Sequence, residues 1–343
     1  MPRNVDRRWV VQRLALTGGV LGLVSPAAAQ SGTPGATDAT PAGQEWSFTD
    51  YLGRVVSAPE RPARIAAEIG GAAALFDMGV QVASVWGAPA NDPDGYKEAW
   101  GRLPVDSVEN IANSDGEIDP EKAIVAGVDL FVLGSTELSD PDSYGGHDDY
   151  IDVIAQITPV AAWPFLARLD ETTDAIWNLA IALGADPQSP ENVAAQEAMD
   201  AAVSELQTVL AEKPGMTAFF GYPTPTELYV ANYAKWDDVN YFQHLGLNVV
   251  PIDESLEQDW WEILSWEQAL KYETDTVFLA DVAGSLPVDE LKEHATFSLH
   301  PAMQANQNGV WSWYFARSPQ GITTLVQAVL DVVQSAEIVT ERS

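Results

Sequence analysis

Cysteine is absent from this sequence of 343 residues. Disulfide bonds, thiolate metal sites and iron–sulfur clusters are therefore excluded. The same absence means that no cysteine can carry a lipid behind an export signal, so we expect a mature protein without a lipid anchor. An unanchored exported protein is retained by a periplasm but diffuses away from a cell with a single membrane, which favours a periplasmic location.

Basic residues are scarce. Lysine and arginine total 17 against 50 aspartates and glutamates, which gives a formal net charge of −33 at pH 7. A nucleic-acid partner is excluded because a phosphate backbone requires a basic surface, and an anionic membrane surface is disfavoured by the same repulsion. Two interpretations of the scattered acidic residues stay open. One is a solvated acidic shell, as in proteins from saline habitats, and the other is a field that attracts a cationic ligand.

Recognisable catalytic and metal-binding motifs are also missing. The sequence has no GxSxG elbow, no Walker loop and no GxGxxG after a strand. Its four histidines show no ligand spacing such as HxH or HExxH. The glycine-rich segment Ile69–Ala72 is typical of a tight turn into a helix. We therefore predict that the protein is not an enzyme and has neither a cofactor nor a direct metal site.

Long apolar runs are missing as well, and the apolar stretch Leu14–Val24 is too short to span a membrane. Positive charge precedes this stretch and the small residues Ala27–Ala29 follow it, which is the pattern of an export signal. Four arginines supply the charge: Arg3, Arg7, Arg8 and Arg13. The adjacent residues Arg7 and Arg8 resemble a twin-arginine signal in which Asp6 replaces the usual serine or threonine. We predict that residues 1–29 are a signal peptide.

One short segment of sequence occurs twice, as Asp119–Gly134 and as Ser265–Ala280. Aligned without a gap at an offset of 146 positions, the copies share four residues: Glu121 with Glu267, Ala123 with Ala269, Asp129 with Asp275 and Leu133 with Leu279. Each copy predicts a short helix opened by an acidic residue, then a turn and a buried strand. A unit present once in each half implies two similar lobes, and a cleft between lobes is a common ligand site.

Strands alternate with helices around this repeat, which predicts an α/β fold with two lobes and largely parallel sheets. Apolar residues at helical spacing run through Arg168–Gly184, which predicts one long helix between the lobes. Residues 30–45 are rich in glycine, alanine, proline and threonine, so we expect a flexible lead there. The rest divides into a first lobe at 46–166, a connecting helix at 167–186 and a second lobe at 187–343.

Aromatic residues gather at the predicted ends of strands in both lobes. Ligands of open α/β sheets bind beyond the carboxyl ends of strands, and a large, partly apolar ligand needs aromatic walls with a few polar donors. Arg317 follows a predicted strand at Val310–Phe315 and is a candidate for an anionic ligand oxygen. A single such aromatic residue is more often part of the core, whereas the set as a whole indicates a site. The candidate ligand-binding residues are Trp86, Trp163, Tyr222, Tyr233, Trp236, Trp313, Tyr314 and Arg317.

Several short motifs follow one another from about Phe48 to Val333: Asp50–Val56, Pro62–Ile65, Asp119–Lys122, Val128–Leu130, Ile157–Val160, Leu264–Gln268 and Asn308–Trp311. Each motif is weak alone. Their order resembles the iron-siderophore/vitamin B12 periplasmic-binding family, the class III substrate-binding proteins of ABC importers. The resemblance implies two Rossmann-like lobes joined by one long helix, with the ligand in a shallow groove between them. A helical connection bends less readily than strands do, so modest lobe closure is expected.

The resemblance also gives the duplicated glutamates a role. In family members an acidic residue on each lobe meets arginines of the membrane permease, and Glu121 and Glu267 occupy the matching positions. Arginine–carboxylate pairs can be bidentate, and two separated pairs would orient the receptor on its partner. A simpler interpretation is that each glutamate stabilises the first turn of its helix. Both can hold at once.

These features together predict a monomeric periplasmic receptor that captures a ferric siderophore and delivers it to an ABC permease. Family members that bind anionic siderophores often bring several arginines to the groove. The scarcity of arginine here favours a neutral or cationic chelate, such as one of the hydroxamate type. Two alternatives stay open, namely a corrinoid or haem as the ligand of the same transporter class, and a ligand sensor without a transport partner.

Overall fold

The structure is a computed structural model that describes residues 45–137, 139–144, 148–257 and 259–340. The predicted signal peptide lies outside these residues, and so does the predicted flexible lead apart from its last residue. None of the helices within the described ranges combines the length and the apolar composition that a membrane span requires.

A five-stranded sheet organises the first half of the described chain. The strands of this half are β1 (Trp46–Thr49), β2 (Val55–Ala58), β3 (Ile65–Glu68), β4 (Ser84–Trp86), β5 (Glu109–Asn110), β6 (Leu130–Ser135) and β7 (Val160–Pro164). β1 and β2 form an antiparallel pair, and the others form a sheet in the order β5-β4-β3-β6-β7 in which all neighbours are parallel. We call this sheet and its helices the first lobe. The helices are α1 (Ile69–Asp77), α2 (Ala88–Asn91), α3 (Lys97–Trp100), the 3₁₀ turn Val105–Ser107, α4 (Pro120–Ala126) and α5 (Asp148–Ala155).

A single helix, α6 (Leu169–Ala182), follows the first sheet and packs in a hydrophobic cluster of each half. Leu169 at its start packs in the core of the second half, whereas Ile176 and Leu179 pack in the core of the first lobe. The helix ends before Gly184, whose φ of 102° is the left-handed conformation that commonly terminates helices. The long helix predicted between the lobes is therefore present, with slightly shorter bounds than predicted.

A second sheet organises the rest of the chain and defines the second lobe. Its strands are β8 (Thr217–Pro223), β9 (Glu227–Ala231), β10 (Asn248–Val249), β11 (Trp261–Ser265), β12 (Thr276–Ala280) and β13 (Asn308–Trp311). The order is β11-β9-β8-β12-β13, with β10 also pairing with β8. β9 is antiparallel to both β8 and β11, and the other pairings are parallel. The α/β fold with two lobes is thus confirmed, with one fully parallel sheet and one mixed sheet.

The helices of the second lobe cover this sheet and include three 3₁₀ turns. They are α7 (Pro190–Glu212), α8 (Asp237–Leu245), the 3₁₀ turns Glu254–Leu256 and Trp266–Gln268, α9 (Val288–Glu293), the 3₁₀ turn Phe297–Leu299, α10 (Pro301–Gln304) and α11 (Pro319–Ser335). The repeated sequence segment forms α4 and β6 in the first lobe, and a 3₁₀ turn and β12 in the second. The predicted helix of the second copy is therefore only one turn long.

Stacked aromatic rings fill the core of the second lobe. Phe220 is fully buried and stacks on Phe278, with ring centroids 4.8 Å apart and planes at 19°. Trp311 meets Phe220 edge to face at 5.5 Å and also contacts Trp313 at 5.4 Å. The core therefore extends without interruption to Trp313, just beyond the end of β13.

Candidate ligand-binding site

A cavity of about 300 Å³ lies between the two lobes, where β3, β6 and β7 of the first sheet end. The first lobe lines it with Glu68, Ile69, Gly70, Gly134, Thr136, Trp163 and Phe165. The second lobe lines it with Trp236, Trp260, Trp313, Tyr314 and Arg317. The cavity thus occupies the position at which open α/β sheets bind their ligands.

Trp163 is held against two glycines in the first-lobe wall. A Cβ atom on Gly134 would lie 2.6 Å from the indole ring, and one on Gly71 would lie 3.0 Å from the indole Nε1. The side chain is 2% exposed, and Nε1 has no hydrogen-bond partner in the described part of the chain. Gly71 lies in the first turn of α1 and Gly134 lies in β6, so both glycines permit close packing of this ring. The segment predicted as a turn into a helix is the first turn of α1 itself. A ligand would therefore meet an aromatic ring that is already fixed.

Tryptophan side chains dominate the second-lobe wall. The ring of Trp236 contacts those of Trp260 and Trp313, with centroids 5.0 and 5.6 Å apart. Its indole N–H donates a hydrogen bond to the carbonyl oxygen of Trp260 at 3.2 Å. Trp313 in turn contacts Tyr314 at 5.6 Å. Such tilted and edge-on pairs contribute about 0.5–1.5 kcal/mol each beyond their burial, so the wall is largely formed in advance of binding.

Two aromatic contacts connect the lobes beside the cavity. Tyr96 of the first lobe meets Tyr314 of the second edge to face, with centroids 5.0 Å apart. Phe165 and Trp260 approach to 5.8 Å. Since the lobes already touch on these rings, a ligand would enter a groove whose walls are close together.

Arg317 is a buried cation with a buried counter-charge. Its Nε donates to Oδ2 of Asp237 at 2.6 Å and its Nη2 donates to Oδ1 at 3.0 Å, which is a bidentate pair. The guanidinium also lies over the rings of Trp163, Phe165 and Phe315, at 4.7 to 5.2 Å from the centroids. Burial by itself would lower the pKa of Arg317, but the facing Asp237 carboxylate outweighs it and raises the pKa above its ordinary value. The arginine is therefore always charged and fixed in orientation.

The third guanidinium nitrogen of Arg317, Nη1, does not contact Asp237. Nη1 lies 3.4 Å from the position that a Cβ atom on Gly70 would occupy, at the start of α1. This nitrogen has no hydrogen-bond acceptor among the described residues, although Arg317 lines the cavity. The pair with Asp237 thus positions the side chain and leaves two N–H donors for a ligand.

A second aspartate lies beneath the second-lobe wall. Asp238 is fully buried, and its Oδ2 accepts a hydrogen bond from Nε1 of Trp311 at 2.6 Å. Its Oδ1 has no partner in the described part of the chain. Burial, together with the neighbouring Asp237 carboxylate, raises the pKa of Asp238 to about 7. The charge under this wall therefore depends on pH near neutrality.

Glu68 brings an acidic group into the cavity. It is the last residue of β3, it is half-buried, and its Oε2 accepts a hydrogen bond from the backbone N–H of Gly134 at 3.3 Å. The sequence does not predict Glu68 as a site residue, and it does not predict Phe165 either. The signal for both is their position, since each stands at or just after the carboxyl end of a predicted strand.

The structure gathers five of the eight predicted ligand-binding residues around the cavity: Trp163, Trp236, Trp313, Tyr314 and Arg317. Trp86 instead lies in the core of the first lobe, where it is 3% exposed. Tyr222 stands behind the wall, with its ring 5.4 Å from that of Trp313 and its hydroxyl donating to the carbonyl of Ala283. Tyr233 packs against the second-lobe core without lining the cavity.

Glu121 and Glu267 are both exposed, and neither lines the cavity. Glu121 is in the first turn of α4, after the carboxyl end of β5. Glu267 is in the 3₁₀ turn that follows β11, which runs parallel to β8 because each is antiparallel to β9. Glu121 therefore lies at the carboxyl edge of the first sheet, and Glu267 lies where β11 ends, at the opposite end of that strand from the cavity-lining Trp260.

No family model matches this sequence, and no curated protein matches it. Among solved structures, the fold is similar to DesE, a ferric-siderophore receptor protein from Streptomyces coelicolor, with a TM-score of 0.77 and 28% identity over 86% of this chain and 100% of that one. It is also similar to the periplasmic catecholate-siderophore binding protein VctP from Vibrio cholerae, with a TM-score of 0.61 and 16% identity over 84% and 99% of the two chains.

A third similar structure is the petrobactin-binding protein YclQ from Bacillus subtilis, with a TM-score of 0.60 and 13% identity over 85% of this chain and 99% of that one. At 16% and 13% identity, VctP and YclQ show a shared fold alone. DesE is a ferric-siderophore receptor of the kind whose motif order the sequence resembles, so the resemblance is confirmed at the level of structure.

Proposed function

We propose that the protein is the receptor of an ABC importer and binds a ferric siderophore in the cavity between its lobes. The observation that carries this proposal is the cavity itself, which combines aromatic walls from both lobes with a buried arginine that keeps free donors. The fold shared with DesE over the full length of that receptor supports the same conclusion. A binding role, and not catalysis, fits this arrangement.

The walls suit a large chelate with apolar faces. Trp163 on one side and Trp236, Trp260 and Trp313 on the other offer ring surfaces for its backbone. Nη1 of Arg317 would donate to an iron-coordinating oxygen, and such charge-assisted hydrogen bonds are among the strongest that proteins make. The aromatic surfaces would supply most of the affinity, and the arginine would fix the orientation of the chelate.

The charge of the cavity favours a hydroxamate over a catecholate chelate. Arg317 is the one cation among the described lining residues, and Asp237 already balances it. A ferric tris-catecholate is strongly anionic and would need several cations, whereas a ferric tris-hydroxamate core is neutral. A neutral core requires only the one donor group that Arg317 provides.

Delivery to the permease would use Glu121 and Glu267. Both are exposed and lie outside the cavity lining, so basic residues of a membrane partner could reach them while the ligand stays bound. Their equivalence within the duplicated segment gives one carboxylate to each lobe. We further propose that the receptor is a periplasmic monomer exported by the twin-arginine-like segment.

Quenching of tryptophan fluorescence tests the ligand class on the purified mature protein. The panel contains ferric hydroxamates, catecholates and carboxylates, together with haem and cobalamin. We expect the tightest binding for a ferric tris-hydroxamate, with a dissociation constant of about 1 µM or lower. Trp313→Phe should reduce the quenching, whereas Trp100→Phe, at a buried position away from the cavity, should not.

Three outcomes would contradict this proposal. Absence of quenching across the whole panel would overturn the assignment to iron chelates. Tighter binding of haem or cobalamin would replace the siderophore with that ligand. A response that Trp313→Phe and Trp100→Phe reduce equally would show that the ligand binds elsewhere.

A further inference from the structure

The cavity has an unbalanced negative charge. Its described lining contains two charged side chains of opposite sign, Glu68 and Arg317. Arg317 is already balanced by the bidentate pair with Asp237. Glu68 and Arg317 do not form an ion pair with each other, and no other described cation lines the cavity. Glu68 attracts Arg317 across a distance, but it is the charge that is left without an ion-pair partner.

The position of Glu68 suits recognition of a ligand. The residue joins β3 to α1, so its backbone is fixed at the carboxyl edge of the sheet. Its Oε2 is oriented by the N–H of Gly134, while its Oε1 accepts no hydrogen bond from a described residue. The side chain is only half-buried, so the free oxygen can be approached from the cavity. One oxygen thus positions the carboxylate and the other is available.

We propose that Glu68 binds a primary ammonium group carried by the chelate, so the ligand class is a cationic ferric chelate. This inference rests on the proposed function, because it assigns the charge of the same ligand. A neutral hydroxamate core would face Arg317, and the pendant ammonium would donate to Oε1 of Glu68. Pairing an ammonium with a half-buried carboxylate is favourable because water screens the interaction less there than at an open surface.

The charge of the whole protein acts in the same direction. With 50 acidic against 17 basic residues, its long-range field attracts cations and repels anions. A cationic chelate would therefore be concentrated near the groove before Glu68 makes contact. The two effects differ in range, and they can be separated because salt screens the field more strongly than it screens a half-buried pair.

Two matched probes test the inference. One is a ferric tris-hydroxamate with a free terminal amine, and the other is the same chelate with that amine acetylated. For the unmodified protein we expect about tenfold tighter binding of the amine form, the ratio that a charge-assisted hydrogen bond commonly gives. In Glu68→Gln the two affinities should agree within about twofold, because the amide carries no charge.

Glu68→Gln keeps an oxygen that can accept the Gly134 hydrogen bond, so the local structure should be retained. Glu109→Gln is the matched control, since it removes the same charge from an exposed position on β5 of the same sheet, outside the cavity. The control should keep the full preference for the amine form. Thermal unfolding of each variant would verify that it is folded.

The possible failures can be told apart. If Glu68→Gln weakens the binding of both probes equally, Glu68 maintains the shape of the cavity and does not recognise the charge of the ligand. If the preference for the amine survives in Glu68→Gln, the ammonium binds elsewhere or responds only to the overall field. If the unmodified protein binds the acetylated probe as tightly as the amine form, the cationic class is wrong while the proposed function stands. If it binds neither probe, the hydroxamate class fails, and the proposed function fails as well only if the wider panel of chelates is also silent.

Discussion

Asp129 and Asp275 occupy equivalent positions of the duplicated segment, and each accepts hydrogen bonds from the backbone at the start of the first strand of its sheet. The carboxylate of Asp129 accepts hydrogen bonds from the backbone N–H groups of Ala63 and Arg64, both at 2.9 Å, just before β3. The carboxylate of Asp275 accepts one from the backbone N–H of Thr217 at 2.8 Å, where β8 begins. The repeat in the sequence therefore corresponds to a repeated hydrogen-bonding pattern in the structure. Each aspartate precedes a central strand and holds the neighbouring parallel strand in register.

Asp275→Asn should destabilise the fold by about 2–4 kcal/mol at pH 7, because hydrogen bonds to charged groups contribute about 1.5–3 kcal/mol. Besides Thr217, the carboxylate accepts bonds from the backbone N–H groups of Val339 and Thr340. Burial would raise the pKa of Asp275, but these hydrogen bonds outweigh it and hold the pKa below the ordinary value. Its stabilising effect is thus present above the pKa of the unfolded chain and is lost as pH falls through the folded pKa.

Urea unfolding at pH 7 and at pH 3 measures this effect. The difference between Asp275→Asn and the unmodified protein should shrink at the lower pH. Asp129→Asn is the comparison, and we expect a smaller loss of about 1 kcal/mol, because its hydrogen bonds are exposed. A loss for Asp275→Asn that does not depend on pH would show that the charge of the carboxylate is unimportant.

The duplicated segment also shows what could be predicted from the sequence and what could not. Its apolar runs predict both central strands, since a short apolar run bounded by turns fits a buried strand. The helix of the second copy is shortened to a single 3₁₀ turn. There Ser265 and Gln268 form a reciprocal capping box, and the indole N–H of Trp266 donates to the carbonyl of Thr224 at 3.2 Å. Side-chain contacts of this kind are not visible in an apolar pattern.

The predicted strand Val310–Phe315 ends early for a similar reason. β13 stops at Trp311, after which Ser312 Oγ donates to the carbonyl of Tyr314 at 2.9 Å and accepts from its N–H at 3.2 Å. Such local hydrogen bonds compete with the strand ladder. In a strand that continued to Phe315, Trp311 and Trp313 would share one face. Because the strand ends at Trp311, Trp313 lines the cavity while Trp311 is in the core.

Trp86 and Trp163 show which feature of the site could not be predicted from the sequence. Both stand near the carboxyl end of a first-lobe strand, and both are almost fully buried. Only Trp163 lies beside the partner lobe, because Gly71 and Gly134 leave room for its ring. The sequence predicts that strand ends form the site, but which strand end faces the other lobe depends on the packing of the two lobes.

Glu121→Ala combined with Glu267→Ala should abolish uptake of the ferric chelate in cells and leave its affinity in solution unchanged. The two glutamates are exposed and lie outside the cavity, so they are free to contact the permease without affecting the ligand. Radioactive iron uptake and fluorescence titration measure the two properties separately. A matched control is Glu197→Ala combined with Glu205→Ala, which removes two exposed glutamates from α7. Normal uptake by the first variant would make the docking assignment wrong.

Arg317→Ala should destabilise the fold by about 3–5 kcal/mol, because it leaves the buried Asp237 carboxylate without its counter-charge. The loss of ligand binding in that variant alone would therefore say little about Arg317. Arg317→Gln combined with Asp237→Asn removes both charges and should recover much of the stability. If Arg317 binds the chelate, the double variant should still bind it more weakly, by about tenfold. Unchanged affinity in a folded double variant would assign Arg317 a purely structural role.

Asp238→Asn should raise the free energy of unfolding at pH 8 and change it little at pH 4. Burial and the Asp237 carboxylate raise the pKa of Asp238 to about 7, far above the value of about 3.9 in an unfolded chain. Between these values the folded protein keeps a proton that the unfolded chain releases. The stability that this group contributes is therefore complete below about pH 4 and is lost as pH rises through about 7.

An asparagine has no charge to bury and can still accept the hydrogen bond from Trp311. Urea unfolding across this pH interval measures the difference. Parallel pH profiles for the two proteins would show that the pKa of Asp238 is not raised by folding.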